Sequence, residues 1–353
     1  TMREGECRSL GRSPAVSTTS GEALLRIHFT GQDLENIRIA RSPDPLWEIV
    51  CSICRLQTKE GPLAFDPWRR MVHERLRRGG APRRAALALR TLVPYATYFP
   101  DFLTPPVEGG SIGVAAGIDR VLSTPRRQLR SEMALLAASG EKPFAGAALA
   151  LGDVEALRLL GDGLRTYHEA FLAPAWDRIG SAAGSDVSWR SRALVTGGTR
   201  ALLDTFRPMA VWRPPVLEVD YPVERDLHLE GRGLLLVPSY FCWRRPITLV
   251  DEGLRPVLVY PVDKTVASVS PDAPTELARL LGSTRASLLY ETAVHDCATT
   301  TELAAAVNVS LPSASQQLTV LREAGLLTSR RDGKHVLHTI TLLGRRLLEG
   351  RCG

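Results

Sequence analysis

The segment from 299 to 340 constrains the fold more than any other part of this 353-residue chain. Thr299 and Glu302 have the spacing of a capping box, in which a hydroxyl and a carboxylate satisfy the first backbone N–H groups of a helix reciprocally. Asn308-Val309 then predicts a turn, so the helix is short. The apolar residues expected to share its buried face are Leu303, Ala306 and Val307.

A second short helix is predicted to begin after Ser310, which is a good N-cap residue. Pro312 is tolerated in its first turn because the N–H groups there lack helical partners. The residues expected to face the core are Leu311, Ala314, Leu318 and Leu321. The opposite face is polar and almost uncharged, with Ser313, Ser315, Gln316, Gln317 and Thr319. Such a face suits the major groove, where glutamine amides pair with adenine and hydroxyls meet bases or phosphates.

A β-hairpin with a charged tip is predicted to follow this helix. Gly325 is expected to end the helix in a left-handed conformation, and Asp332-Gly333 is a typical hairpin turn. Two helices, a turn and a hairpin in this order predict a winged helix-turn-helix. The predicted DNA-binding residues are Ser310, Ser313, Ser315, Gln316, Gln317, Thr319, Arg322, Arg330, Arg331, Lys334 and His335, the hairpin cations facing phosphates. The alternative is a surface helix pair and hairpin without a role in nucleic-acid binding.

Linked motifs in this region resemble the DNA-binding domain of the ArsR-like bacterial repressors. They lie between 283 and 348 and read TTELAAAVNVS, SASQQLTVLREAGLL, RRDGKHVLHTIT and LLGRRLL. The preceding chain, with LRIHFT, SPDPLWE and YFPDFLTPP, resembles the long N-terminal region of a poorly characterised actinobacterial branch of such regulators. The resemblance implies a transcriptional regulator that binds double-stranded DNA. Because symmetric repressors bind pseudo-palindromic half-sites, a homodimer is expected.

The chain departs from the metal-sensing members of that family. Those members carry a Cys-x-Cys pair just before and into the first helix of the motif, where this chain has Thr299-Thr300-Thr301. The sequence therefore lacks a thiolate metal site at that position. His295 and Cys297 lie just upstream, but two ligands without a third do not complete a metal site. We predict neither a metal nor a cofactor.

The charge pattern fits an anionic partner only locally. The formal net charge is +6, yet residues 276–350 hold eight Lys/Arg against seven Asp/Glu, so their positive charge is concentrated around the hairpin tip and the final helix. A second basic run, Arg69–Arg90, contains eight arginines and one acid, Glu74. It could contact DNA, but apolar residues in each half favour a solvated helical face.

The cysteines and glycines give no sign of an enzyme. The six cysteines lack disulfide spacing, and without a signal peptide or long apolar run a reducing cytoplasm and no membrane are expected. Cys51 and Cys54 fall in an apolar helical run, which favours packing over redox or metal chemistry. Gly231-x-Gly233 and the 196–199 segment lack the remaining residues of nucleotide-binding loops. We therefore predict no catalytic residues.

The predicted fold class is mainly α with small β segments, in which a large α-rich N-terminal domain precedes the winged helix-turn-helix. We divide the chain into a disordered tail at 1–20, a dimerisation and possible effector domain at 21–265 with a β segment near 215–262, a linker at 266–274 and a DNA-binding domain at 275–350. Local signals predict a strand at 24–29, a helix opening at Asp66-Pro67 and a long helix at 153–171.

Aromatic residues in the N-terminal domain are candidates for an apolar effector pocket. They are Tyr98, Trp176, Tyr240 and Trp243. The same side chains could equally be ordinary core residues. The rival class of function is an enzyme or ligand-binding scaffold that keeps the winged helix as a structural module, and it predicts no salt-dependent DNA binding.

Overall fold

The computed structural model describes residues 23–95, 98–106, 112–140, 145–251, 253–262, 273–294, 298–332 and 335–348. The chain is mainly helical with small sheets, as predicted. The helices are α1 (Gly31–Glu35), α2 (Pro45–Leu56), α3 (Pro62–Arg77), α4 (Gly80–Leu92), α5 (Val114–Leu122), α6 (Arg126–Ala138), α7 (Gly146–Ala150), α8 (Val154–Tyr167), α9 (Trp176–Asp204), α10 (Ala273–Leu281), α11 (Ser283–Val294), α12 (Thr300–Val307), α13 (Leu311–Glu323) and α14 (Leu342–Leu348). The strands are β1 (Leu24–His28), β2 (Arg38–Ile39), β3 (Ala210–Arg213), β4 (Val216–Asp220), β5 (Arg225–His228), β6 (Leu235–Ser239), β7 (Val257–Pro261), β8 (Ala298–Thr299), β9 (Leu327–Asp332) and β10 (His335–Ile340).

Two small sheets join the beginning of the chain to residues beyond 209. One has the order β3-β4-β1-β5, with β1 antiparallel to β4 and parallel to β5. The other has the order β2-β6-β7 and is parallel throughout. Every residue of β6 is buried, as expected for a strand covered on both faces. The β segment predicted near 215–262 contains β4, β5, β6 and β7, whereas β3 lies ahead of it.

Buried carboxylates fix the first helices to the parallel sheet. Asp33 closes a capping box with Thr30 and accepts a hydrogen bond from the backbone N–H of Gly233 at 2.8 Å. Gly233 has φ +70, and a Cβ there would lie 2.3 Å from the carbonyl oxygen of Asn36. Glu48 on α2 accepts hydrogen bonds from the chain that leaves β6. These contacts join residues about 200 positions apart.

The helix predicted to open at Asp66-Pro67 begins earlier. α3 starts at Pro62, so Pro67 lies inside the helix. Pro67 removes a single N–H donor, whereas the earlier start buries Phe65 and Trp68 in an aromatic cluster. The preceding Gly61 has φ +58, and a Cβ there would lie 2.7 Å from the Phe65 ring. Burial of the aromatic rings therefore outweighs the local signal of the proline.

The long helix predicted at 153–171 is interrupted. Asp153 caps α8 as its N-cap residue, but the α-helical hydrogen-bond pattern stops at Tyr167. A π-helical turn, His168–Leu172, follows, and a short 3₁₀ turn, Ala173–Ala175, then leads into α9. π-helical turns are rare and frequently occur at functional sites.

α9 carries a buried ion pair that fixes it to the parallel sheet. The guanidinium of Arg190 contacts Asp186 at 2.8 Å, and both side chains are almost fully buried. The same guanidinium lies over the rings of Phe206 and Tyr260, at 4.0 and 4.7 Å from their centroids. Within α9, Gly198 interrupts the helix with φ +67.

The C-terminal helices surround a separate cluster of buried residues. Leu288 and Leu289 of α11 pack there with residues of α12, α13 and the β8-β10-β9 sheet. Two predicted core positions are wrong. Ala306 is exposed and Ala304 is buried instead, and Leu311 is 49% exposed because it is the first residue of α13 and the packed layer begins one turn later at Ala314.

The predicted tail at 1–20 lies wholly outside the described residues, and the predicted linker at 266–274 lies largely outside them. Among the residues that are described, no helix is long and apolar enough to cross a membrane.

Candidate nucleic-acid interface

The C-terminal elements occur in the order of a winged helix. α11 is followed by β8, α12, α13 and the β9–β10 hairpin. The sheet order is β8-β10-β9, with β10 antiparallel to both neighbours. α11 packs against α12, α13 and β10, so it supports the other elements from one side. This arrangement places α13 and the β9–β10 hairpin next to each other.

Local capping determines where α12 and α13 begin and how they are joined. The Thr299 hydroxyl accepts from the Glu302 N–H at 3.2 Å, and the Glu302 carboxylate accepts from the Thr299 N–H at 2.7 Å. The predicted capping box is therefore confirmed. Asn308 ends α12 in the left-handed region, with φ +56. Ser310 is the N-cap of α13, and its hydroxyl accepts from the Ser313 N–H at 3.4 Å.

The outer face of α13 carries most of the polar residues that the sequence places there. Ala314, Leu318 and Leu321 are buried, so the helix turns the opposite side outward. Ser310, Ser315, Gln316 and Arg322 are exposed, whereas Ser313, Gln317 and Thr319 are partly buried. The Thr319 hydroxyl donates to the Ser315 carbonyl at 2.9 Å. The groups that remain most accessible to a base edge belong to Ser315 and Gln316.

Gln317 has a partner that the sequence did not reveal. Its side-chain oxygen accepts a hydrogen bond from Nε of Arg285 at 2.7 Å. Arg285 belongs to the first turn of α11 and lies 32 positions earlier in the chain. Gln316 and Gln317 are adjacent, so their side chains diverge by about 100° around the helix. Gln317 thus supports a cation beside α13, and Arg285 joins the candidate phosphate contacts.

The hairpin, which we call the wing, carries exposed arginines on both faces. Arg330 pairs with Leu337 and Arg331 with Val336, and consecutive strand residues point to opposite faces. Both arginines are exposed. They can therefore meet phosphates on the two sides of a groove. Lys334 lies outside the described residues, and the structure describes the backbone of His335 without its side chain.

His338 anchors the wing to α12. Its ring is buried, with Nε2 2.9 Å from the Thr300 hydroxyl and Nδ1 2.9 Å from the Ser329 hydroxyl. Burial lowers the pKa of His338, and the positive charge of Arg322 lowers it further. A neutral ring can donate to one hydroxyl and accept from the other, which matches its surroundings.

Acidification is expected to weaken this anchor. Because the folded-state pKa of His338 is lowered, the unfolded chain binds more protons than the folded chain as pH falls below about 6.5. The contribution of His338 to the free energy of unfolding is fully present above that pH. It is lost at up to about 1.4 kcal/mol per pH unit as pH falls through the folded pKa. Calorimetry of the wild type and His338→Gln tests this: the stability advantage of the wild type should shrink from pH 7.5 to 5.5. An advantage independent of pH would contradict it.

The basic run at 69–90 separates into buried and exposed residues. Arg69 is buried, binds Asp66 at 2.8 Å and donates to the Arg55 carbonyl at 2.9 Å. Arg75 is partly buried and donates to the Ala170 carbonyl at 2.8 Å. The exposed arginines are Arg70, Arg77, Arg78, Arg83, Arg84 and Arg90. Two of the eight therefore hold the fold together, and six remain on the surface.

The four aromatic effector candidates lie in different surroundings. Tyr240 is buried and Trp243 partly buried, and both rings pack on Phe65. The Tyr98 hydroxyl lies 3.5 Å from the Glu132 carbonyl. Trp176 alone among the four lines the cleft that also contains His168. Tyr240 and Trp243 thus have the surroundings of core residues, and an effector role for any of the four stays a prediction.

Cys51 and Cys54 lie in α2, and neither is exposed. The pKa of the Cys51 thiol is raised by a hydrogen bond with Cys242 and by burial, and burial raises the pKa of Cys54 to about 11. Such thiols are unreactive near neutral pH, which agrees with packing. His295 and Cys297 lie outside the described residues.

Family models match two separate parts of the chain. Residues 119–266 match the model of a family of unknown function, DUF5937. Residues 280–330 match the model of a helix-turn-helix domain. No curated protein and no solved structure matches the chain. The helix-turn-helix match covers α11 to α13 and most of β9, so the chain carries a helix-turn-helix domain, which indicates a role in DNA-binding regulation.

Proposed function

We propose that this chain is a transcriptional repressor of the ArsR-like type that binds double-stranded DNA through α13 and the wing. The observation that carries the proposal is the pairing of an exposed, polar helix face with a wing that has arginines on both faces. Ser315 and Gln316 would contact base edges in the major groove, and Arg330 and Arg331 would contact the flanking phosphates. Arg285, Arg322 and Lys334 would add further phosphate contacts.

The proposed assembly is a homodimer on a pseudo-palindromic operator. Two copies related by a two-fold axis would place their α13 helices in major grooves about one helical turn apart. Residues 21–265 would supply dimerisation and effector binding, and residues 275–350 the DNA contact. Under this proposal the protein acts by binding and not by catalysis.

Electrophoretic mobility shift with the promoter DNA that flanks the protein's own gene tests the base contacts. Loss of a glutamine–adenine pair is worth about 1–3 kcal/mol. Ser315→Ala/Gln316→Ala should therefore weaken specific binding by about tenfold or more, with a smaller loss on unrelated DNA. The control is Ser185→Ala, an exposed serine on α9. Unchanged specific binding by the double variant would exclude α13 as the recognition helix.

The salt dependence of binding separates this proposal from a scaffold that keeps the winged helix as a structural module. Each neutralised phosphate contributes about −0.9 to the slope of log K against log salt concentration. A repressor should lose affinity steeply between 50 and 200 mM salt, conditions under which a scaffold has no salt-dependent affinity to lose.

A further inference from the structure

A cleft in the N-terminal region has the size and lining of a small-molecule site. Its volume is about 470 Å³, within the range of ligand pockets. It lies between the turn that precedes α2, the start of α5 and the junction of α8 with α9. Pro43, Pro45 and Val114 give it apolar walls. The lining residues with polar side-chain atoms are Arg41, Ser42, His168 and Trp176.

His168 lines this cleft and contains a buried ring nitrogen. Nε2 is shielded from solvent and has no hydrogen-bond partner among the described residues. Leaving a buried polar atom unpaired costs about 1–3 kcal/mol, so such atoms are rare in folded proteins. His168 is also the first residue of the π-helical turn. A π-helical turn, of the kind that frequently occurs at functional sites, therefore lines this cleft.

Trp176 supplies an aromatic wall next to that nitrogen. Its ring centroid lies 5.2 Å from that of His168, and the ring planes meet at 61°. Arg41 is exposed at the cleft and makes no hydrogen bond or ion pair within the described ranges. A guanidinium offers a planar fork that matches a carboxylate. The lining thus combines a ring-binding surface with a carboxylate-binding cation.

Gly180 leaves space at the cleft on the α9 side. It lies one turn after Trp176, and a Cβ added there would meet no atom within 4 Å. Gly184, one turn further along α9, has equally free surroundings but does not line the cleft. The two glycines provide a matched pair for testing occupancy.

We propose that this cleft binds a small aromatic carboxylate, with its ring on Trp176 and its carboxylate on Arg41. The binding site stands independently of the proposed function. Its influence on DNA binding rests on that function. A physical route exists, because the turn containing Arg41 leads into α2, and the nearby α3 packs against α11 of the winged helix.

Isothermal titration calorimetry of the full chain with indole-3-acetate tests the site, with indole as the uncharged probe. We expect a dissociation constant on the order of 100 µM for indole-3-acetate, as its size permits, and weaker binding of indole. Arg41→Gln should weaken indole-3-acetate binding by about tenfold or more and leave indole binding unchanged. Equal affinity for both probes, or no binding of either, would overturn the proposal.

The glycine variants locate the ligand. Gly180→Leu should abolish binding by filling the cleft, whereas Gly184→Leu should bind as the wild type does. Leucine is favoured over glycine in helices, so both variants should melt at or above the wild-type temperature. Unchanged binding by a folded Gly180→Leu would place the ligand elsewhere and overturn the proposal.

Mobility shifts with and without indole-3-acetate separate the two claims. A changed DNA affinity that disappears in Gly180→Leu supports the site as an effector site. Ligand binding without any change in DNA affinity retains the site and refutes its regulatory role. Ligand binding by a protein that binds no DNA refutes the proposed function and leaves the site supported.

Discussion

Replacing Glu48 by leucine is expected to lower the free energy of unfolding by about 4 kcal/mol. The Glu48 side chain is fully buried in α2. Its carboxylate accepts from the backbone N–H of Tyr240 at 2.6 Å, from the N–H of Phe241 at 3.0 Å and from the Ser239 hydroxyl at 3.0 Å. Leucine would leave two buried backbone donors unpaired, and each costs about 1–3 kcal/mol.

Urea denaturation measures the effect through the midpoint and slope of unfolding. Glu48→Gln should lower the free energy of unfolding less than Glu48→Leu does, because its amide oxygen still accepts a hydrogen bond. Some stability should still be lost, because its NH₂ group faces a donor. Glu155→Gln is the matched control: Glu155 lies in the first turn of α8, is exposed and pairs with Arg158 on the surface. Exposed pairs of this kind contribute little to stability. A loss below about 1 kcal/mol for Glu48→Leu would show that Glu48 does not hold α2 to the sheet.

The winged helix could be predicted because its signals are local. The Thr299–Glu302 capping box, the Ser310 N-cap and the hairpin turn each lie within a few residues, and their order is typical of a winged helix. The errors there concern orientation within a helix. Leu311 satisfies the helical period but lies ahead of the packed layer. Gln317 lies on the polar stretch but turns toward Arg285, a contact that no local pattern encodes.

The N-terminal region was less predictable because its contacts join distant segments. β1 pairs with β4 and β5 nearly 200 positions away, and Glu48 meets its partners across a similar distance. Such pairing depends on which surfaces become buried against each other. The alternation of apolar and polar residues along one strand does not identify the strand that pairs with it. The break in the predicted 153–171 helix was missed for another reason. Its periodicity continues through His168, while the backbone changes to a π turn.

The double charge reversal Arg330→Glu/Arg331→Glu is expected to weaken binding to promoter DNA by about 100-fold or more. Both side chains are exposed on opposite faces of the wing, so each would lose its own phosphate contact under the proposed docking. Charge-assisted hydrogen bonds are worth about 1.5–3 kcal/mol each, and the new carboxylates would also repel the phosphates. The slope of log K against log salt concentration should become shallower by about 2.

Two other arginine pairs distinguish a wing contact from a general effect of charge. Arg126→Glu/Arg127→Glu changes the net charge equally at the exposed start of α6 and should leave affinity within a few-fold of the wild type. Arg83→Glu/Arg84→Glu tests the basic run on α4, where a solvated face predicts a similarly small effect. Equal losses for all three variants would mean that net charge governs affinity and that the wing makes no specific contact. A loss confined to the wing variant, with the shallower salt slope, would place Arg330 and Arg331 on the DNA backbone.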